Sequence, residues 1–281
     1  MKTQLFFSIF VFLILSVNIN GQSRTQNFPS TVDYVDQLPQ AENLWVFLLT
    51  GQSNMAGRGF VEPQDTIPNK RILTIDKTGQ WIYAKEPLHF YEPKMTGLDC
   101  GLSFGRQLLE AVPSDVTIAI LPCAIGGSSI EQWLNDDTHR EVSLLSNFKS
   151  KVAIAKKQGT IKGILWHQGE GDANEQRIAK YSGNLDKLTL QFRQIVGNDT
   201  LPIILGQLGR YAEPRKKRQH WKSINKIIID FAKKDAYIGV ISSKGLKEKG
   251  DKVHFNGASQ REMGKRFATE YLKTAKPTHS N

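Results

Sequence analysis

Five apolar runs with the length and composition of buried strands recur along this chain, and stretches with helical spacing of apolar residues separate them. The runs are 44–49, 116–121, 161–166, 201–208 and 236–241. Strands that alternate with helices favour a mainly parallel sheet covered on both faces, because each parallel connection has to cross over the sheet. The pattern therefore predicts an α/β fold. Residues 60–100, which contain four prolines, interrupt it as an insertion with a small hairpin.

The first 21 residues have the pattern of a secretory signal peptide. Lys2 precedes an apolar block at 5–17, which is shorter than the roughly 20 residues that a membrane span needs. An uncleaved anchor is the alternative. We expect residues 1–21 to be a signal peptide, 22–42 a polar lead-in, 43–274 one domain and 275–281 a tail. The expected location is secreted or periplasmic, without stable membrane insertion.

The net charge of the full chain is +10, and removing residues 1–21 takes away one lysine and no acid, which leaves +9. The positive charges are spread along the chain. The densest cluster, residues 215–218, begins an amphipathic helix, and no nucleic-acid motif accompanies it. This pattern is typical of a solvated helix start, so we predict no nucleic-acid partner.

The chain has only two cysteines, Cys100 and Cys123, which leaves open one disulfide or none. Two cysteines are too few for a cysteine zinc site, and the six histidines lack the spacing of metal ligands. We predict that no metal or other cofactor is required. The sequence does not indicate an oligomeric state.

Four of the five apolar runs are followed by unusual polar segments. These segments are 51–54, 122–129, 166–172 and 251–254. The carboxyl ends of parallel strands lie at one edge of a sheet and open into a crevice. Segments that are far apart in sequence are therefore predicted to meet in one site.

A serine nucleophile needs a base within hydrogen-bond reach and a third group that orients the base. Ser53 follows the first run, and Asp251 and His254 follow the last. The Asp-x-x-His spacing lets a short turn direct the carboxylate at one imidazole nitrogen. Alone this spacing is a weak signal, but its position at the sheet edge favours a role in catalysis.

The oxyanion of an acyl-transfer reaction needs preorganised hydrogen-bond donors. The backbone N–H of Ser53 is one candidate. The Gly126-Gly127 turn offers the N–H of Gly127, since glycine allows close approach, and Gln168 offers a side-chain N–H.

The four segments together resemble the SGNH (GDSL-like) hydrolase superfamily, and more closely its branch of carbohydrate esterase family 6 and sialate O-acetylesterases. The marks of the branch occur here in the right order over about residues 43–273. They are Gly51-Gln-Ser-Asn-Met55, Gly126-Gly-Ser128, Trp166-His-Gln-Gly-Glu170 and Asp251-Lys-Val-His254. Glu86-Pro-Leu-His89 is a secondary echo, and Gly171 stands where relatives commonly have serine.

The resemblance implies a three-layer α/β/α sandwich with a flavodoxin-like sheet, and a metal-free serine esterase that acts on acetylated polysaccharide or oligosaccharide. Ser53 then matches the nucleophile, His254 the base and Asp251 its orienter. Ser53, Gly127 and Gln168 match the oxyanion donors. Acetylated xylan is the first substrate considered, and sialate or another short-chain ester is the alternative. A non-catalytic carbohydrate-binding protein on a hydrolase fold is the alternative of another class.

Weaker expectations concern residues around these motifs. Arg58 either faces substrate or pins the loop, and Asn54, Trp133 and His167 are candidate substrate contacts. Glu170 and Asp172 are expected to hold the Gln168 loop by hydrogen bonds rather than to act as an acid/base pair.

Overall fold

The computed structural model describes residues 23–275, which form a seven-stranded sheet, a two-stranded hairpin, six α-helices and one short 3-10 helix at Pro63–Thr66. The predicted signal peptide and nearly all of the predicted tail lie outside the described residues. The strands are β1 (Leu44–Gly51), β2 (Ile72–Ile75), β3 (Trp81–Tyr83), β4 (Thr117–Pro122), β5 (Thr138–His139), β6 (Val142–Ser143), β7 (Thr160–His167), β8 (Ile203–Gly206) and β9 (Ile238–Ile241). The helices are α1 (Gly101–Leu109), α2 (Ile130–Asn135), α3 (Leu144–Gln158), α4 (Glu175–Val196), α5 (Arg215–Ala232) and α6 (Gly257–Thr274).

The order of the large sheet is β3-β2-β4-β1-β7-β8-β9, and every pairing is parallel except that of β2 with β3. Without the inserted β2–β3 hairpin, the strands have the order 2-1-3-4-5 of doubly wound flavodoxin-like sheets. The predicted α/β fold is therefore confirmed, and so is the hairpin in the insertion. In such a sheet ligands bind where the strand order reverses, which here is the carboxyl end of β1 beside β7.

The sheet is covered on both faces because its strands are apolar on both faces. Val46 and Leu48 of β1 pack toward α2, α3, α4 and α5, and Phe47 and Leu49 pack toward α1 and α6. Cys123 lies on the first face and Cys100 on the second, both buried and both free thiols. The sheet separates the two cysteines, so the disulfide left open by the sequence is absent here.

Local signals set the helix ends that border the polar loops. Ser129 and Gln132 form a reciprocal capping box at the start of α2. Asn256 caps α6 by accepting a hydrogen bond from the Ser259 N–H. None of the helices in residues 23–275 is long and apolar enough to cross a membrane.

The polar lead-in is packed onto the domain by specific contacts with the insertion. Asn27 donates to the Val61 carbonyl at 2.9 Å, and Arg24 donates to the carbonyls of Pro93 and Thr96. Tyr34 pairs with Ile82 of β3. The lead-in therefore extends the insertion side of the sheet.

Helices α1 and α6 approach closely because Gly264 has no side chain. A Cβ at this position would lie 2.3 Å from the Cys100 carbonyl oxygen and 2.7 Å from the Phe104 nitrogen. Gly183 of α4 is the matched case, since a Cβ there would meet nothing within 4 Å.

We predict that Gly264→Ala lowers the free energy of unfolding by several kcal/mol, because the two helix backbones have to separate. Gly183→Ala should raise it by about 0.5–1 kcal/mol, because alanine loses less backbone entropy in a helix. Urea unfolding followed by circular dichroism measures both. Equal effects of the two substitutions would contradict this account of the helix contact.

Candidate active site

The structure places Ser53, His254 and Asp251 in one hydrogen-bonded line, although Ser53 and His254 are about 200 residues apart in sequence. The Ser53 Oγ lies 3.0 Å from His254 Nε2, and His254 Nδ1 lies 2.7 Å from Asp251 Oδ2. The other carboxylate oxygen of Asp251 accepts the N–H groups of Val253 and His254. This geometry suits proton transfer from a serine hydroxyl to an oriented imidazole.

The environment keeps Asp251 ionised. Partial burial raises the pKa of its carboxyl group, but the hydrogen bonds from the His254 N–H, the His254 ring and the Val253 N–H outweigh that effect, so the pKa is lowered overall. A carboxylate that stays charged at neutral pH stabilises a positive charge on the neighbouring imidazole.

Asn54 joins the nucleophile loop to the two loops beside it. Its side-chain Nδ2 donates to Glu170 Oε1 at 2.6 Å and to the Val253 carbonyl at 3.2 Å. Its Oδ1 accepts the Phe255 N–H at 3.0 Å. Asn54 is fully buried, and its side chain contacts protein groups rather than facing the crevice as the sequence analysis expected. It instead fixes the backbone on both sides of His254.

The Gly126-Gly127 turn lies against the end of β1. The Gly51 carbonyl accepts both the Ile125 N–H at 3.1 Å and the Ser128 hydroxyl at 3.2 Å. Gly127 has a φ of 80°, a conformation that favours glycine. Within residues 23–275 neither the Ser53 N–H nor the Gly127 N–H has a hydrogen-bond acceptor. Both are therefore free to bind a negatively charged oxygen.

Gln168 is fully buried, and protein partners occupy its side chain. Its Nε2 donates to the Ser128 carbonyl at 3.1 Å and to the Asp172 carboxylate. The Tyr181 hydroxyl lies 2.9 Å from the Gln168 backbone carbonyl oxygen and 3.1 Å from Oε1, and both oxygens can accept its single proton. Both amide hydrogens have acceptors, so this arrangement does not fit the expected role of Gln168 as an oxyanion donor.

Glu170 and Asp172 both hold backbone and amide groups around the Gln168 loop. Glu170 accepts from Asn54, and Asp172 Oδ2 accepts the Ile130 N–H at 2.9 Å as well as the Gln168 amide. Burial raises the pKa of Asp172, and the hydrogen bonds from Ile130 and Gln168 offset only part of that effect. These contacts correspond to the supporting role that the sequence favoured over an acid/base pair.

Arg58 pins the loop rather than facing substrate. It is 4% exposed, and its Nη2 lies 2.7 Å from Glu92 Oε2. The same Glu92 oxygen accepts the Gly126 N–H at 2.7 Å. Burial raises the pKa of Glu92, but the charge of Arg58, its hydrogen bond and that of Gly126 lower it overall. The ion pair thus anchors the turn that carries Gly127.

Trp133 and His167 are fully buried, so neither lines a sugar site. The Trp133 ring lies in the core, and its Nε1 donates to Ser128 Oγ at 3.0 Å. His167 is the last residue of β7, and its Nε2 donates to the Gln207 carbonyl at 3.1 Å. Both residues lie next to polar loops in the sequence. However, α2 directs the Trp133 side chain and β7 directs the His167 side chain into the protein interior.

A second, buried Asp–His pair, Asp99 and His89, contacts the segment that leads into the Gly126-Gly127 turn. The Ala124 N–H donates to His89 Nε2 at 3.3 Å, which leaves the proton on His89 Nδ1 to bind Asp99 Oδ2 at 2.8 Å. His89 belongs to the Glu86-Pro-Leu-His89 echo. Glu92 and Asp99 were missed by sequence reasoning because charged residues in an irregular insertion carry no periodic signal.

Comparison with known proteins identifies the family of this chain. A model of the family "carbohydrate esterase, sialic acid-specific acetylesterase" matches residues 43–273. The chain belongs to this family. The resemblance stated from the motifs is thereby confirmed.

One similar protein is known both by its sequence and by its structure. A probable carbohydrate esterase of Arabidopsis thaliana is 29% identical over 249 residues, which cover 81% of this chain and 90% of the relative. Its solved structure superposes with a TM-score of 0.72 at 27% identity, covering 82% of this chain and 98% of that one.

A carbohydrate acetylesterase from Xanthomonas citri shares the fold, with a TM-score of 0.61 at 21% identity over 83% of this chain and 56% of that one. Family membership supports an esterase hydrolase that acts on acetylated carbohydrate.

We predict that Glu92→Gln lowers the free energy of unfolding by about 3–5 kcal/mol at pH 7, because it leaves the buried Arg58 without a counter-charge. Since the folded pKa of Glu92 is lowered, its stabilisation is present above the ordinary value of 4.5 and is lost as the pH falls through the folded value. The difference between wild type and variant should therefore shrink below about pH 4.5. Urea unfolding at a series of pH values measures it.

Glu262→Gln is the control, because Glu262 forms a pair with Arg266 on α6 that is much more exposed to solvent than the Arg58–Glu92 pair. Its effect should stay below about 1 kcal/mol. A loss for Glu92→Gln that is no larger than that of the control would mean that the buried pair is not the anchor of the turn.

Proposed function

We propose that this protein is a secreted serine esterase that removes O-acetyl groups from carbohydrate through an acetyl-enzyme on Ser53. The observation that carries the proposal is the line Ser53–His254–Asp251, with two unpaired backbone N–H groups beside the nucleophile. Family membership supports the acetyl ester and the carbohydrate.

In the first half-reaction His254 Nε2 takes the Ser53 proton while Oγ attacks the acetyl carbonyl carbon. The carbonyl oxygen becomes an oxyanion, to which the N–H groups of Ser53 and Gly127 donate. The tetrahedral intermediate collapses, the C–O bond to the sugar breaks, and the imidazolium protonates the leaving sugar oxygen.

In the second half-reaction the neutral His254 takes a proton from water, which attacks the acetyl-enzyme. Collapse of the second intermediate returns the proton to Ser53 Oγ and releases acetate. Asp251 keeps its charge throughout, holds the imidazole tautomer and stabilises the imidazolium.

We predict that Ser53→Ala lowers kcat on a chromogenic acetyl ester by at least about 1000-fold, because no nucleophile remains. The thermal midpoint should stay within a few degrees of wild type, since Ser53 Oγ bonds only to His254 in residues 23–275. Ser150→Ala, an exposed serine on α3, is the control and should keep full activity.

Normal turnover by the Ser53 variant would overturn the assignment. An inactive wild type on acetyl esters of every sugar tested would favour the non-catalytic carbohydrate-binding alternative. A series of model esters of increasing acyl length separates an acetylesterase from an esterase for longer chains.

A second candidate function, hydrolysis of acetyl esters on an acidic sugar such as a sialic acid, is favoured by Arg140. This residue lies in the two-residue turn between β5 and β6, where Arg140 and Glu141 have φ values of 49° and 65°. Such turns usually hold Asn-Gly, and residues with a Cβ cost about 1–3 kcal/mol there. The β5–β6 hairpin is hydrogen-bonded to the Gly126-Gly127 turn, which is called the oxyanion turn below. In this contact His139 Nε2 donates to the Gly126 carbonyl at 2.9 Å.

The Arg140 guanidinium lies beside Gly127. Its Nη2 is 3.6 Å from where a Gly127 Cβ would be, while its Nη1 contacts Glu92. Glu92 is already paired with the buried Arg58, so Arg140 leaves an excess positive charge, and its side chain is 40% exposed. A guanidinium fork suits a sugar carboxylate and has no such partner on neutral xylan.

We predict that Arg140→Gln lowers kcat/KM on an O-acetylated sialic acid by about 10–100-fold, because a charge-assisted hydrogen bond is lost. Activity on acetylated xylo-oligosaccharide should change less than about threefold. Lys226→Gln on α5 removes one exposed charge away from the site and is the control. Equal losses on both substrates would reject the acidic-sugar candidate.

Secretion is part of the proposal and is supported by the signal-peptide pattern of residues 1–21. Amino-terminal sequencing of the exported chain should then begin near Gln22. Export of the intact chain would favour an anchor instead.

A further inference from the structure

One side-chain amide next to the nucleophile keeps a free donor. Gln52 immediately precedes Ser53 and is 3% exposed. Its Oε1 accepts the N–H groups of Gly171 at 3.2 Å and Gly169 at 3.4 Å. Because an N–H can only donate, these two contacts fix the oxygen toward the Gly169–Gly171 loop and the nitrogen away from it.

The Gln52 Nε2 has no acceptor in the part of the chain that the structure describes, and it is not among the side-chain atoms sealed from solvent without a partner. The nitrogen therefore borders open space. This distinguishes Gln52 from Gln168, whose two amide hydrogens are donated to Ser128 and Asp172.

The Gln52 amide lies on the side of the nucleophile where the oxyanion turn is. A Cβ on Gly171 would be 3.5 Å from Gln52 Oε1 and also 3.5 Å from the Gly127 carbonyl oxygen. Gly171, Gln52 and Gly127 are thus immediate neighbours. The Gln52 amide group therefore lies in the same small region as Gly127 and as Ser53, the next residue in the chain, whose backbone N–H groups are both unpaired in residues 23–275.

We propose that Gln52 is a catalytic residue whose Nε2–H donates the third hydrogen bond to the oxyanion, in place of Gln168. The inference rests on the proposed Ser53 mechanism. No proton is transferred in this contact. The Gly169 and Gly171 N–H groups hold the amide before substrate binds, so the donor needs no reorganisation when negative charge develops on the carbonyl oxygen.

Two variants of equal length test the donor. In Gln52→Glu the carboxylate still accepts the Gly169 and Gly171 N–H groups but offers no N–H. Gln52→Met is neutral and also offers none. Both should lower kcat on a chromogenic acetyl ester by about 100-fold, with KM within about threefold of wild type, because the contact forms only as charge develops.

Gln207→Glu is the matched control. Gln207 is also a buried glutamine whose Oε1 accepts a backbone N–H, that of Ser243 at 3.3 Å, and it lies after β8. Its kcat should stay near that of wild type. Inhibition by methylboronic acid is a second measurement, and it is insensitive to a purely structural role of Gln52. The tetrahedral adduct of the boronic acid with Ser53 places an oxygen where the oxyanion forms. The inhibition constant should rise about as much as kcat falls.

Three results would overturn the proposal. One is that both Gln52 variants keep kcat within threefold of wild type. Another is that only Gln52→Glu loses activity and that its pH–rate profile shifts, which would assign the loss to the added charge. The third is that kcat falls together with the thermal midpoint while boronate binding is unchanged, which would make Gln52 a loop support.

Failure of the proposed Ser53 mechanism would give a different result from failure of the Gln52 proposal. If Ser53→Ala remains active, the serine esterase proposal fails and Gln52 has no oxyanion to bind. If Ser53→Ala is inactive while the Gln52 variants are unaffected, only the third donor is rejected.

Discussion

The end of β1 lies against the end of β7 so closely that only glycine fits, and the site depends on this contact. A Cβ on Gly51 would be 2.2 Å from the His167 carbonyl oxygen, and the same carbonyl accepts the Gln52 N–H at 2.9 Å. The Gly51 carbonyl in turn accepts from Ile125 and Ser128. One residue therefore sets the distance between the nucleophile, the oxyanion turn and the Gln168 loop. Its φ of 124° is a second reason why glycine is needed.

Buried amides then hold these loops rigid. Asn54 ties the nucleophile loop to the Glu170 and His254 loops, and Gln168 ties its own loop to Ser128 and Asp172. The Gln52 oxygen is fixed by two backbone N–H groups. Loops that carry polar groups into a crevice need such partners, because an unpaired buried polar group costs about 1–3 kcal/mol. The same bonds preorganise the site, since positioned donors lower a barrier only if they do not have to move.

Much of this arrangement could be read from the sequence, and the errors have a common cause. The alternation of apolar runs and helical stretches predicted the sheet, and the polar segments after the runs identified Ser53, Asp251 and His254. Trp133 and His167 were assigned to the crevice because they stand next to those segments. Their burial depends on which way a strand end or a short helix faces, and packing against distant residues such as Trp166 and Phe255 decides that.

The sequence by itself determined the order of strands and helices, the residue types at each strand end and the family. These features depend on local periodicity and on short motifs, both of which can be recognised without knowing the tertiary contacts. Only the tertiary structure decided which amide keeps a free N–H and which arginine is buried. Gln52 and Gln168 have the same chemistry, and Arg58 and Arg140 share one carboxylate, Glu92. Most of their hydrogen-bond partners lie tens of residues or more away in the chain, so only the fold determines which of these side chains is occupied by protein contacts.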